Sequence, residues 1–446
     1  MEETIASIST SIGIGAISIV RISGNEAIDI VNKICSKDLT SVDSHTINYA
    51  HIMDKEEIID EVLIMVMRAP KTYTKEDVVE INTHGGINTT NKVLELLLEN
   101  GARMAEPGEF TKRAFLNGRI DLTQSEAVSD LINAKTDASR RLAINQVNGK
   151  INEKINNLRD KMAKLISNIE VNIDYPEYQD ELQITIELLN KELREIKKEL
   201  DKIIDDSKNG RLISNGLNVA IIGKPNVGKS SLLNAMLDEN KAIVTNIAGT
   251  TRDLVEGSIT LNGVAINFID TAGIRETSDV VEKIGVDKSL EAKNNADLVI
   301  LVLNNNEELD EEDKKLLESV DENTIVFVNK CDLESKVELD IDNCIRGNTL
   351  SLDGIRPLKE AIISKYSLDK IMNKDMTYVS NLRQIDLIKK ANVAINAAIN
   401  DVENNIEVDL VEINIKNAWE LLGEVTGKVY TDELVDTIFS NFCLGK

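Results

Sequence analysis

Chemistry is densest between Leu217 and Ser231, where the apolar run LNVAII leads directly into GKPNVGKSS. The spacing Gly223-x-x-x-x-Gly228-Lys229-Ser230 predicts a strand, a phosphate-cradling loop and a helix. Small residues let the backbone N–H groups of Asn226, Val227, Gly228 and their neighbours turn inward around phosphate oxygens. The helix that starts at Ser231 adds the positive end of its dipole. In such a loop Lys229 reaches the β- and γ-phosphates and the Ser230 hydroxyl is placed to ligate Mg²⁺.

Two more tetrapeptides follow, each at the end of an apolar, β-rich run. Asp270-Thr271-Ala272-Gly273 follows Val264–Ile269; its Asp is suited to hold Mg²⁺ through water and its Gly N–H to meet a γ-phosphate. Asn329-Lys330-Cys331-Asp332 follows Ile325–Val328. The Asp332 carboxylate can accept from the ring N–H and the exocyclic amine of guanine together, whereas adenine offers neither donor. Leaving a buried carboxylate unpaired costs on the order of several kcal/mol, so this motif selects GTP over ATP. Ser351-Leu352-Asp353 stands where a guanine-backing loop belongs, with a poor match. Between the first two motifs, Thr245-Asn246-Ile247-Ala248-Gly249-Thr250-Thr251 reads as a switch loop, with Thr251 closing on Mg²⁺ when the γ-phosphate is present.

Ile274 follows Gly273, where many GTPases carry a glutamine that orients water, and an alkyl side chain cannot do that. Hydrolysis then needs a carboxylate from the next segment, for which Glu276, Asp279 and Glu282 are candidates. It also needs extra positive charge, which a monovalent cation held by Asn226 and backbone oxygens of the 245–250 loop would supply.

The elements that must position these groups fall into blocks. Residues 1–118 mix β-rich runs (4–22, 46–67, 78–81) with two helices, one capped by Asn25 and one over about 89–100 ended by Gly101, giving an α+β domain. A charged residue inside a strand either faces water or serves a ligand; Arg21 and Glu80 read more simply as solvated, and His84, beside two glycines, as a turn residue. From about 120 to 208 Gly149 and Pro176 are the only breakers, so long helices are expected. Leu182, Ile186, Leu189, Leu193, Ile196, Leu200 and Ile203 form a heptad stripe of about three repeats, read as one amphipathic helix in a bundle rather than an intermolecular coiled coil. Asn209-Gly210 and Asn215-Gly216 look like a hinge, an α/β region runs from 216 to 370, and helices resume from 378 to 446. The simplest architecture is a nucleotide domain inserted between helical flanks, 119–210 and 378–446.

The 446 residues suggest two to four domains, and 42 % apolar composition is ample for their cores. A net charge of −25 argues against coating nucleic acid by bulk electrostatics, and an aromatic content of 3 % against a stacking platform for unpaired bases. Residues 378–446 carry six Lys/Arg against eleven Asp/Glu, so they are no RNA-binding tail. Cys35, Cys331, Cys344 and Cys443 show neither zinc nor disulfide spacing; reduced cytosol is expected, and no apolar run is long enough for a membrane span. The Cys443 thiol, close to the chain end and to Gly445, either packs behind Leu434, Ile438 and Phe442 or is mobile and reachable.

The phosphate loop GKPNVGKSS, the switch NIAGTTRD, DTAG with a hydrophobic follower, NKCD, the N-terminal VRISG and THGG, the RAFLNGRIDLTQSEA junction and the terminal Cys443-Leu444-Gly445-Lys446 together resemble the MnmE (TrmE) family of tRNA-modification GTPases. The likeness spans nearly the whole chain in the family's order. It implies an α/β and α multi-domain fold: an N-terminal α+β folate-binding domain similar to the glycine-cleavage T-protein, a discontinuous helical domain, and an inserted Ras-like P-loop G domain. It also implies a homodimer formed through the N-terminal domains, K⁺-dependent pairing of G domains, and partnership with the FAD-containing flavoprotein MnmG in a heterotetramer or larger complex. That pair forms 5-carboxymethylaminomethyluridine at the tRNA wobble position from 5,10-methylene-tetrahydrofolate and glycine. By resemblance, the folate site falls on Arg21, Glu80, Arg119 and Lys446; K⁺ on Asn226, Thr245, Ile247 and Thr250; Mg²⁺ on Ser230 and Thr251. Glu282 takes the water-orienting role, with Lys229 and Cys443 also catalytic. The chain departs from the family in STSIGIGAI, which lacks the usual Pro and Arg-Gly-Gly, and in Ser351-Leu352 for Ser-Ala. Two other readings are a GTP-switched ribosome-assembly factor, which usually appends a basic module, and a folate-dependent aminomethyltransferase with a regulatory G domain.

Overall fold

A computed structural model describes residues 3–174, 186–239, 255–269, 296–339, 344–371 and 376–446 of the chain. The N-terminal part is built from β1 (Ile5–Ile8), β2 (Ile17–Ser23), α1 (Ala27–Ile34), β3 (Thr46–Asp54), β4 (Glu57–Met67), β5 (Val78–His84), α2 (Ile87–Glu99) and β6 (Arg103–Met104). The strands form one sheet in the order β3-β4-β5-β2-β1-β6, antiparallel except for the β1/β6 pair. Alternation sets its buried face: Val62, Ile64 and Val66 of β4 point into a core with Ile22, Ile52 and Ile81, and α1 and α2 close it with Val31 and Leu97. The β3–β4 hairpin turns on Lys55 at φ +55°. Helix α1 is capped at Glu26 without a side-chain bond, one residue later than the Asn25 cap expected.

Helices α3 (Glu109–Leu116), α4 (Leu122–Asn133), α5 (Asp137–Val147), α6 (Lys150–Asp174) and α7 (Ile186–Asn215) follow. The expected hinge at Asn209-Gly210 is absent: α7 runs unbroken through it and stops only before Gly216, at φ +79°. Gly210 has a packing reason instead, because a Cβ there would lie 2.5 Å from the Val379 carbonyl oxygen. Leu189, Leu193, Ile196 and Leu200 of the heptad stripe are buried while Ile186 is half exposed, and Leu182 lies outside the described residues.

The nucleotide region contains β7 (Leu217–Ile222), α8 (Lys229–Glu239), β8 (Val255–Leu261), β9 (Val264–Ile269), β10 (Leu298–Asn304), α9 (Glu311–Glu318), β11 (Thr324–Asn329), β12 (Cys344–Arg346), α10 (Leu352–Lys365) and α11 (Leu368–Ile371). Its sheet order is β12-β11-β10-β7-β9-β8, parallel apart from β8. Every residue of β10 and β11 is buried, as a parallel sheet covered on both faces requires. Val219, Ile221, Ile300 and Val302 point into one core, and Ala220, Ile222, Val299 and Leu301 into another.

The chain ends with α12 (Leu382–Glu403), α13 (Val408–Thr426) and α14 (Asp432–Phe439). Helix α6 packs along α13, where the Arg159 guanidinium lies 4.2 Å from the Trp419 ring centroid and its Nε donates to the Trp419 carbonyl. Two compact units emerge: residues 1–129, 147–197 and 386–446 form one, residues 130–146 and 198–385 the other. Among the described residues no helix is long and apolar enough to cross a membrane.

Candidate functional site

The loop after β7 adopts backbone conformations that its sequence anticipates. Gly223 sits at φ +142°, Asn226 at +64° and Gly228 at +103°. A side chain at Gly223 would collide with the Val302 carbonyl, and one at Gly228 with the Asn329 amide. Val227 is buried in the core beneath the loop, which fixes its base, while Asn226, Ser230 and Ser231 are exposed at its rim. Lys229, the first residue of α8, donates from Nζ to the carbonyls of Gly223 and Lys224, each at 2.7 Å. Burial of the ammonium lowers its pKa.

The guanine tetrapeptide reaches the same loop. Asn329 is 1 % exposed; its Nδ2 donates to the Val227 carbonyl at 2.9 Å and its Oδ1 accepts from the Lys330 N–H at 2.8 Å. Lys330, at φ +62°, donates from Nζ to the Asn226 carbonyl at 3.1 Å. The first two residues of the motif thus brace the phosphate loop. The Asp332 carboxylate is exposed and makes no side-chain hydrogen bond among the described residues. Cys331 N–H donates to the Gly347 carbonyl at 3.0 Å, which sets the 347–351 loop beside it, and Ser351 caps α10 by accepting from Gly354 N–H. Thr245, Asn246, Ile247, Ala248, Gly249, Thr250, Thr251, Asp270, Thr271, Ala272, Gly273 and Glu282 lie outside the described residues.

One contact at this site was not anticipated. Lys224 Nζ is held by Asp310 at 2.7 Å and by Asp313 at 2.6 Å, the two residues that form the capping box of α9. Lys224 and the N–H groups of the helix N-terminus hold the Asp310 carboxyl down at about 2. The Asp-x-x-Asp cap is readable in sequence; its lysine, 86 residues earlier, is not.

A second cluster forms on the N-terminal sheet. Arg21 and Glu80 face each other in the β2/β5 register, and Nε donates to Oε1 at 2.7 Å. Their side chains are only 18 % and 13 % exposed, so the solvated reading of both is wrong, and Arg21 is held by the chain's own C-terminus. Arg21 Nη1 donates to the Gly445 carbonyl at 3.2 Å, and its guanidinium lies 5.5 Å from the Phe110 ring centroid. The terminal residues are pinned by Gly108 N–H to Cys443 O, Phe110 N–H to Lys446 O and Ser9 Oγ to Gly445 O. Gly445 takes φ +82°, and a Cβ there would strike the Ile8 carbonyl. Cys443 is therefore exposed on an anchored tail, neither packed nor dangling, and Phe442 makes the packing contact instead. Arg119 stands one ring away, 4.7 Å over Tyr73, which itself packs against Phe110. His84 ends β5, where Nδ1 pairs with Asp60 at 2.7 Å, and that bond raises its pKa.

Residues 4–119 match the model of the GTP-binding protein TrmE N-terminus, and residues 122–443 that of the MnmE helical domain. The tRNA modification GTPase MnmE of Staphylococcus aureus (strain Newman) is 50 % identical over 456 residues, covering 100 % of this chain and 99 % of that protein. The chain belongs to the MnmE family. The MnmE protein of S. aureus strain JH9 is 49 % identical over the same coverage. Among solved structures, the G domain of the T. maritima FeoB iron transporter is 30 % identical, over 33 % of this chain and 98 % of that one, with a TM-score of 0.25. The MnmE helical match runs across the nucleotide sheet, as it must if that sheet interrupts the helical domain.

Proposed function

We propose that the chain is a K⁺-dependent GTPase that works with the flavoprotein MnmG to form 5-carboxymethylaminomethyluridine at the tRNA wobble position, using a tetrahydrofolate one-carbon unit. The observation that carries this reading is full-length identity of 50 % to a curated tRNA modification GTPase. Geometry supports the GTP half: a phosphate loop, its lysine and the Asn-Lys-x-Asp turn are locked together by Asn329 and Lys330, and Asp332 is open to a base.

Each residue has a part. Lys229 leaves its two carbonyls for the β- and γ-phosphates, Asp332 takes the guanine edge, Ser351 backs the base, and Glu282 aims the attacking water. Mg²⁺ fits Ser230, whose exposed hydroxyl at the start of α8 makes no other hydrogen bond among the described residues, with Thr251 as second ligand. A monovalent cation fits the equally unpaired side chain of Asn226, with Thr245, Ile247 and Thr250 completing the set. When bound, the cation supplies positive charge against the charge that develops on the phosphates.

The tail-capped cluster fits a folate. Glu80 keeps Oε2 without a hydrogen bond among the described residues, ready for a donor edge of the heterocycle, and Arg119 and Lys446 suit a carboxylate-bearing tail. A bound tetrahydrofolate derivative would supply the one-carbon unit, with Arg21 and Glu80 to orient it, and Cys443 lies exposed on the tail whose Gly445 carbonyl accepts from Arg21. FAD belongs to the partner, the working form is a homodimer in complex with MnmG, and the compartment is the cytoplasm.

Nucleoside analysis of tRNA from cells lacking this gene tests the proposal. Loss of the modified wobble uridine, restored by the intact gene, is expected; unchanged nucleosides would reject it.

A further inference from the structure

Asn305 follows β10 and is 2 % exposed, and it belongs to none of the motifs that mark the nucleotide site. Its hydrogen bonds converge on one target. The backbone N–H donates to the Asn329 carbonyl at 2.9 Å, and the carbonyl accepts from Lys336 N–H at 2.8 Å. Side-chain Nδ2 donates to the Leu333 carbonyl at 3.3 Å, while Oδ1 accepts from Ser335 Oγ at 2.9 Å and from Arg346 Nη1 at 3.0 Å. Asn305 thus holds the chain from 329 to 336 on both sides of Asp332: through its backbone at Asn329 and Lys336, and through its buried side-chain amide at Leu333 and Ser335, after Asp332. Arg346 of β12 braces the far end by donating to the Val337 carbonyl at 3.0 Å.

That grip matters because little else holds the turn. Asp332 is exposed, and so is Leu333, at 46 %; neither is fixed by apolar packing. The turn has its own Leu333 N–H to Lys330 O bond and the Cys331 link to Gly347, which shape it internally and anchor its first half. Its second half is placed by Asn305 and the groups that Asn305 gathers.

We propose that Asn305 is a positioning residue for base selection, holding the Asp332 carboxylate where it meets both guanine donors at once. The inference rests on the GTP reading given above. Two hydrogen bonds to one carboxylate demand an alignment within a few tenths of an ångström, so a turn released on one side keeps the motif but loses the exocyclic contact first.

Hypoxanthine has the ring N–H of guanine without its amine, so the ratio of GDP to IDP affinity reads that contact alone. In wild-type full-length protein the ratio is expected to be roughly tenfold or more, the worth of a hydrogen bond to a charged group. In Asn305→Ala it falls to within about threefold, while affinity for inorganic pyrophosphate, which engages only the phosphate loop, is unchanged. Ser335→Ala, at an exposed position, removes the hydroxyl that donates to Asn305 Oδ1 together with its longer contacts to Val337 and Arg346, and is expected to give an intermediate ratio, which keeps the test available if the alanine at 305 does not fold. A residue serving stability alone would weaken GDP and IDP equally. An undiminished ratio in Ser335→Ala, and in Asn305→Ala where that folds, overturns the proposal. Wild-type protein that binds no GDP would instead overturn the underlying GTP reading.

Discussion

Lys229 shows how a single residue can be readable in sequence and still be completed by its surroundings. Its ammonium is partly desolvated and satisfied by two loop carbonyls, so it is stored in place until phosphates arrive. Lys229→Ala removes charge-assisted bonds worth roughly 1.5–3 kcal/mol, and GTP affinity measured by titration should fall on the order of tenfold to a hundredfold. Asp310 offers a test by pH. Its carboxyl titrates at about 2 in the fold against an ordinary value of 3.8, so its contribution to stability is present above about pH 4 and fades as pH falls toward 2. The ion pair with Lys224 is largely solvent-screened on the aspartate side and contributes little; the lost helix cap sets the scale. Asp310→Ala should cost about 1 kcal/mol at pH 7 in a denaturant titration, with the gap from wild type narrowing between pH 4 and pH 2. Glycines, lysines and an aspartate at fixed spacing are local signals, which is why the phosphate loop and the guanine motif stood out in the chain. Asn305 gave none, because its partners lie 24 to 41 residues away and are backbone atoms as often as side chains.

Among the elements, α7 separates propensity from packing. Asn-Gly within a helical pattern reads as a break, yet Gly210 lies mid-helix because the Val379 backbone crosses there. At a free hinge that turned helical, Gly210→Ala would stabilise the protein by up to about 1 kcal/mol. Here the added methyl meets a carbonyl oxygen that cannot yield, and a loss of roughly 1–3 kcal/mol is expected from the urea midpoint. The terminal segment behaves likewise. Its four residues read as a reachable thiol on a loose end, but three backbone anchors and the contact with Arg21 turn it into a cover for the N-terminal sheet. Gly445→Ala combines a left-handed backbone with a collision at Ile8. It should weaken binding of a tetrahydrofolate derivative at least tenfold by calorimetry while leaving GTP hydrolysis unchanged; intact folate binding would show that the tail has no part in that site. Family resemblance put Arg21 and Glu80 in one site, but their direct pairing could not be derived from residue pattern: which strands neighbour each other, and in what register, is a non-local fact.

In the molecule as a whole, the division into two compact units cuts α4 and α7 within their length, so no local composition change marks it. What the sequence did carry at this scale was the order of blocks, because a parallel βαβ pattern and a helical pattern differ in period and in glycine content. A net charge of −25 leaves the chain without a bulk electrostatic hold on RNA, and any tRNA contact must be local or supplied by a partner. Ile274 stands in the sequence position of the usual water-orienting amide, and the proposed function therefore assigns water activation to Glu282 and charge stabilisation to a cation beside Asn226. Hydrolysis by the purified full-length protein, measured at equal ionic strength in potassium and in sodium chloride, tests this most directly. A rate higher in K⁺ by roughly tenfold or more, equivalent to at least ~1.4 kcal/mol of transition-state stabilisation, is predicted. Equal rates in the two salts would contradict it.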